Sequence, residues 1–307
     1  MLGIAFAQVL HSLEEYRHSL WEVLAPAEVA SGIVGDDPAL GFSIINNSSN
    51  VINFAQGEFV MIGGMATVSL IKVGLPLPLA AALAIAATTL VGLALEKFAV
   101  ERVRGESVVT LIIITIGASI LLRGLASLVW DKNLHPLPAF SGDRPIAIGG
   151  ATIVPQSLWV IGVTLAAVAA LRWFFNSTLH GKAMLATSHN RLAAQLMGIS
   201  VRRVLLVSFG LSAALGALAG ILIAPITFTA WDVGVMLGLK GFAAASLGGL
   251  GSGPGAVLGG LALGLLEALS AGYVSSAYKD VIAFGIMLAV LILMPGGLVG
   301  HRSVERV

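Results

Sequence analysis

Eight apolar stretches, each poor in charge, limit what this chain can fold into. They are Val51–Ile71, Leu77–Val100, Val108–Trp130, Leu158–Phe175, Val204–Ala224, Val235–Leu250, Gly255–Ala271 and Val281–Met294. A helix of about 20 apolar residues crosses the hydrocarbon of a bilayer, where the backbone must satisfy its own hydrogen bonds. The 307 residues are 57% hydrophobic and 11% charged, against about 25% charged for a soluble domain. The spacing therefore predicts an all-α polytopic membrane protein with about eight transmembrane helices. A degenerate or short first segment, Val29–Ile45, precedes them. Asp36, Asp37 and Pro38 sit near its middle, and each central Asp costs about 2.5–3.5 kcal/mol to insert. Residues 1–28 place Leu2, Phe6, Val9 and Leu13 at helical spacing and read as an amphipathic leader at the interface. Residues 29–297 form the transmembrane domain and 298–307 a cytoplasmic tail.

Short loops rich in Lys and Arg stay in the cytoplasm. Arg102 and Arg104 lie in loop 101–107, Lys182, Arg191, Arg202 and Arg203 in loop 176–203, and Arg302 and Arg306 in the tail. All three fall on one side if each stretch from Val51 onward crosses once. Loops 131–157, 225–234 and 272–280 then face outward, and the turn Ser252-Gly253-Pro254 faces the cytoplasm. The net charge of +1 gives no electrostatic case for nucleic acid. The absence of cysteine excludes thiol chemistry and Cys-based metal sites. The six histidines are scattered without metal-ligand spacing. Neither a catalytic constellation nor a metal site is expected, and the chain does not read as an enzyme.

The Gly- and Ala-rich stretch Lys240–Glu267 resembles a phosphate-binding loop only superficially. A P-loop needs G-x-x-x-x-G-K-[ST], and no Lys or Arg occurs between Lys240 and Lys279. Small residues four apart let helix backbones touch where lipid supplies no hydrophobic driving force. The pairs are Gly216/Gly220, Gly234/Gly238, Gly255/Gly259 and Gly260/Gly264. Lys240 either snorkels to the outer interface or faces a central cavity.

Asn53-Phe54-Ala55-Gln56-Gly57-Glu58 is the most polar stretch at membrane depth. Two readings are open. Asn53, Gln56 and Glu58 line a substrate pathway, with Glu58 binding an ammonium group or a cation. Alternatively, they satisfy the backbone where a helix breaks. Glu58 reads as the one acid deep in a clear span. In loop 176–203, Ser188 is an N-cap candidate and Gly198 a C′ stop. Leu192, Gln195 and Leu196 share a face between them, beside Asn190 and Arg191. This short helix is either a docking element or a solvated surface helix.

Five separated stretches resemble one family. VINFAQGEFVMIGG (51–64), Glu96–Arg123 with TIGASILLR, AAQLMGISVRRV (193–204), FGLSAALGALAGILIAP (209–225) and Leu239–Glu267 are similar to permease subunits of branched-chain amino-acid ABC importers. The resemblance covers roughly residues 39–297. It implies a bacterial inner-membrane permease that pairs with a second permease. Two cytoplasmic ATPases bind the ATP, so this chain needs no cofactor of its own. A periplasmic or lipid-anchored binding protein delivers branched-chain or related amino acids, and transport proceeds by alternating access. Ser188–Gly198 would be the coupling helix seated in an ATPase groove, and Asn53–Glu58 part of the pathway. The stretch before Ala39 departs from the family, which has a full apolar first span there. Two other readings remain beside this one: a stand-alone secondary transporter, and a degenerate, non-transporting membrane scaffold. Ion-coupled carriers bear more intramembrane carboxylates than this reading finds.

Overall fold

A computed structural model describes residues 43–45, 52–103, 107–142, 144, 146–148, 151–250, 253–275, 277–294 and 296–298. Ten α-helices carry most of the described chain: α1 (Gln56–Lys72), α2 (Leu77–Leu95), α3 (Val108–Val129), α4 (Pro155–Ser177), α5 (Leu179–His189), α6 (Arg191–Leu196), α7 (Val201–Thr227), α8 (Val233–Gly248), α9 (Gly253–Tyr273) and α10 (Lys279–Leu293). The proposed leader, the Asp36–Pro38 break, Ser252 and the tail beyond Leu298 lie outside the described residues. One feature departs from the all-helical expectation. An antiparallel hairpin, β1 (Ile146–Ile148) with β2 (Ala151–Ile153), occupies the loop before α4 and places Ile146 opposite Ile153.

Local chemistry sets the helix starts. Ser107, Thr178 and Ser200 accept bonds from the N–H of Thr110, Gly181 and Arg203, capping α3, α5 and α7. Pro155 opens α4, where its missing N–H costs nothing. A π turn (Glu96–Val100) and a 3₁₀ turn (Glu101–Val103) prolong α2.

Five helices are long and apolar enough to cross a membrane: α2 with its extension, α3, α4, α7 and α9. The chain is thus a multi-pass membrane protein. Three of the eight expected spans are shorter. α1, α8 and α10 have 17, 16 and 15 residues, which rise only about 23–26 Å at 1.5 Å per residue. The stretch Val51–Ile71 loses residues 52–55 to the turn before α1, which hydropathy does not separate from helix, while Val235–Leu250 and Val281–Met294 are short in sequence already.

α7 is the central post, packed against α1 and α2, while α8 joins α1 to the α9–α10 pair. Phe59, Phe209, Ala213, Leu95 and Val100 fill one cluster around the post. Ile113, Ile120 and Leu121 of α3 and Leu165 of α4 are exposed, as lipid-facing surfaces are. Tight seams, rather than apolar burial, must hold such helices together. A Cβ on Gly216 would lie 2.9 Å from Phe59 Cβ, and one on Gly220 would overlap the Val60 carbonyl. Between α8 and α9, a Cβ on Gly259 would overlap the Ala244 carbonyl, and one on Gly248 would overlap that of Gly255. Gly260 and Gly264 are buried on α9.

The register of α1 on α7 shows why α1 is short. Gln56 bonds Ser212, close to the middle of the 27-residue α7, and the two helices then run parallel to the pair Val68 and Ala224. α1 therefore occupies one half of the layer only. α8 occupies the other half: its start meets Gly57, and its end packs with Leu171, Met184 and Val204 near the opposite end of α7. The strap 228–232 folds back inward to reach that start, which corrects the expected outer loop 225–234. Phe228 turns the corner at φ 61°, a conformation that costs a bulky residue about 1–3 kcal/mol. Thr229 pairs with His135 through two backbone bonds, and Trp231 packs with Met61 and Met65. The His135 ring lies 2.9 Å from both Lys72 Nζ and Asp131 Oδ1. The Asn133 backbone N–H, donating to Asp131 at 2.9 Å, holds that carboxyl below its ordinary range.

Candidate functional site

The polar turn before α1 sits where the two half-length helices meet. Its three polar side chains have different surroundings. Asn53 Oδ1 accepts from Ala55 N at 3.1 Å, and Asn53 O accepts from Gln56 N, so this side chain builds the turn that starts the helix. Gln56 Nε2 donates to Ser212 O at 3.1 Å, and Ser212 Oγ donates back to Gln56 Oε1. Gln56 is fully satisfied and clamps α1 to α7. Glu58 reaches α3 instead, where Ser119 Oγ donates to its Oε1 at 2.8 Å. Its second oxygen, Oε2, has no hydrogen-bond partner among the described residues, although the residue is only 1% exposed. Gln56 thus meets the backbone-satisfying reading; Asn53 meets it through Oδ1 but leaves its Nδ2 without a partner among the described residues, as Glu58 leaves Oε2.

Glycine makes the contact around Glu58. A Cβ on Gly57 would overlap the Gly234 carbonyl, and one on Gly234 would lie 2.5 Å from Glu58 Oε2. Gly238 completes the seam, and Phe54 stacks on Phe242 at 5.8 Å between ring centroids. The small-residue spacing pointed to Gly234 and Gly238 as packing positions. Nothing in one dimension tied them to Glu58, because the partner glycine, Gly57, lies 177 residues away.

Lys240 neither snorkels nor faces an open cavity. Its Nζ lies 2.9 Å from Glu267 Oε2 on α9 and 2.8 Å from Asp280 Oδ1 at the start of α10. Lys240 is 19% exposed and Glu267 10%. Glu58 is consequently not the one buried acid within the spans, since Glu267 and Glu96 are buried too. Hydropathy averaging concealed them, because single charges barely lower the mean of an Ala- and Leu-rich window.

The loop helix α6 is displaced from its expected cap. Ser188 lies inside α5, where its Oγ donates to Leu185 O. Asn190 caps α6 instead, its Oδ1 accepting from Ala193 N at 2.9 Å. Gly198, with φ 82°, ends α6: its N–H donates to Gln195 O, and that of Ile199 to Ala194 O. Ala194 is buried beneath α6, while Leu192, Leu196 and Met197 are 68%, 81% and 83% exposed. Arg191 and Gln195 flank them and line a recess shared with Gly198–Arg202. Asn190→Ala should destabilise α6 by about 1 kcal/mol and speed amide exchange across 191–196, whereas Ser188→Ala should leave that exchange unchanged. The reverse pattern would restore Ser188 as the cap.

A family model described as "Branched-chain amino acid transport system / permease component" matches residues 38–291. The high-affinity branched-chain amino acid transport system permease protein LivH of Escherichia coli K12 is 35% identical over 285 residues, covering 88% of this chain and 92% of that protein. The chain belongs to this permease family. BraD of Pseudomonas aeruginosa, of the same description, is 33% identical over 283 residues, with the same shares covered. The autoinducer 2 import system permease protein LsrC of Shigella flexneri is 30% identical over 266 residues, 83% of this chain and 74% of that protein.

As a member of a transport family rather than an enzyme family, this permease is read by its seams and surfaces. The Glu101–Arg202 ion pair brings the end of the extended α2 beside the start of α7. Loops 101–107 and 176–203 of the permease therefore share one side of the layer, together with the exposed α6.

Proposed function

We propose that this chain is the transmembrane permease subunit of an ABC importer for branched-chain or related amino acids. The observation that carries this reading is the 33–35% identity to LivH and BraD along 88% of the chain. Both are named as branched-chain amino acid transport permeases. The chain resides in the bacterial inner membrane with α5 and α6 in the cytoplasm. Seven segments traverse the layer beside the half-length α1, with α8 crossing together with its strap and α10 as a short return. A second permease completes the pathway, two cytoplasmic ATPases supply ATP, and a periplasmic or lipid-anchored binding protein delivers substrate.

Two features support the assignment of parts. The exposed Leu192, Leu196 and Met197 give α6 an apolar contact face with Arg191 at its edge, suited to a groove in an ATPase. The α1–α8 seam, with Asn53, Gln56 and Glu58 beside it, is a close backbone approach between the α1–α2–α7 and α8–α9–α10 groups, and we assign the pathway to it. Closure of the ATPase dimer on ATP would move α6, and with it the helix groups on either side of the seam. The partly buried Lys240 triad does not favour ion coupling, because its carboxylates already hold a fixed cation.

Affinity purification in mild detergent tests the assembly. An ATPase subunit should co-purify with the tagged chain, and Leu192→Asp with Leu196→Asp should lower its recovery at least tenfold. Recovery of the chain without an ATPase would contradict the reading.

A further inference from the structure

Glu58 is the charged group that the α1–α8 seam leaves half satisfied. Ser119 holds Oε1, while Oε2 has no partner among the described residues. An unpaired buried carboxylate oxygen is costly, and more so at membrane depth. Its setting shows how the closed seam tolerates it. Oε2 lies against Gly234 in the first turn of α8, where the partial positive charge of a helix start is opposed by the Asp232 carboxylate at the N-cap, and the Arg123 guanidinium on α3 also acts on Glu58. Gly57 and Gly234 have no side chains, so the two helix ends meet backbone to backbone and seal the carboxyl between them. A helix end is a weak counter-charge, whereas an ammonium group bonds a carboxylate strongly.

We propose that Glu58 recognises the ammonium group of the substrate when the α1–α8 seam parts, the ammonium replacing the α8 N-terminus as the partner of Oε2. This rests on the reading of the chain as an amino-acid permease and names the group that its pathway recognises. Separation of α8 from α1 removes the helix end from Oε2 and opens that oxygen to a cation. A bound ammonium offsets that loss, so a substrate carrying the charge stabilises the parted seam and an uncharged isostere does not.

The surrounding bonds favour motion at this seam. α1 is clamped to α7 through Gln56 and Ser212. α8 is tied through Lys240 to α9 and α10, while it meets α7 through apolar packing and the strap alone, with no ion pair between them among the described residues. Glycine backbones form the boundary at Gly57, Gly234 and Gly238, beside the Phe54–Phe242 ring contact. Ser119 is a positioning residue: by fixing Oε1 it aims Oε2 at the seam.

The test is ATP-driven leucine uptake by the assembled transporter in proteoliposomes, with the binding protein saturating. Glu58→Gln should assemble in wild-type amount and lower kcat/KM for leucine at least tenfold. Glu58→Asp, which keeps the charge, should stay within about threefold of wild type, and Ser119→Ala should fall several-fold. Leucine kcat/KM within twofold of wild type in Glu58→Gln overturns the proposal, as does a Glu58→Asp variant as impaired as Glu58→Gln. Should Glu58→Gln fail to assemble, Ser119→Ala decides, and an effect under twofold overturns the assignment. A wild-type transporter that takes up no amino acid overturns this proposal together with the permease reading, whereas normal wild-type uptake with an indifferent Glu58 overturns this proposal alone.

Discussion

Methionine in place of Lys240 is expected to destabilise the protein by about 3 kcal/mol, near the lower end of what breaking a buried ion pair costs. The substitution preserves the length and apolar stem of the side chain but strands two carboxylates. Glu267 would be left without a partner on α9, and Asp280 without one at the start of α10. Asp280 is 31% exposed and recovers some hydration, which keeps the figure from the top of the range. The triple variant Lys240→Met, Glu267→Gln, Asp280→Asn removes all three charges and should regain most of the loss. Thermal unfolding in detergent, followed by size-exclusion recovery, measures both. A triple variant as unstable as the single one would show that packing, rather than unpaired charge, sets the cost.

Leucine at Gly220 should cost about 3 kcal/mol or more and separate α1 from the central post. Even a Cβ there overlaps the Val60 carbonyl and lies 3.0 Å from Gly64 N. Those atoms belong to backbone and yield only if the helix axes move apart. Gly259→Leu should behave alike through the Ala244 carbonyl, lowering assembly without changing substrate preference. Gly117→Leu on α3 is the control, since nothing lies within 4 Å of its Cβ position. Monodisperse yield after solubilisation reads all three. Equal yields for Gly220→Leu and Gly117→Leu would remove the seam from the account.

The membrane class and the glycine packing positions were legible in one dimension because each rests on local composition and helical spacing. Gly216 and Gly220 could be read as packing positions from a four-residue interval alone. The partners of those positions were not legible. Gln56 finds Ser212 across 156 residues, and Lys240 finds Asp280 across 40. Such pairings depend on tertiary register. Of the three short helices, α1 alone starts well inside its expected stretch, because residues 52–55 are spent in the turn before Gln56; α8 and α10 are as short as the stretches Val235–Leu250 and Val281–Met294 themselves. The cap of α6 was misplaced by two residues because Ser188 and Asn190 are both good capping types. Only the Asn190 bond to Ala193 N distinguishes them.

Leucine uptake into proteoliposomes holding this chain with its co-purifying subunits tests the central claim most directly. ATP on the ATPase side, with no ion gradient, should drive accumulation, and omission of ATP should abolish it. Accumulation driven by a sodium or proton gradient without ATP would contradict the account, as would a fully assembled complex that hydrolyses ATP but moves no amino acid.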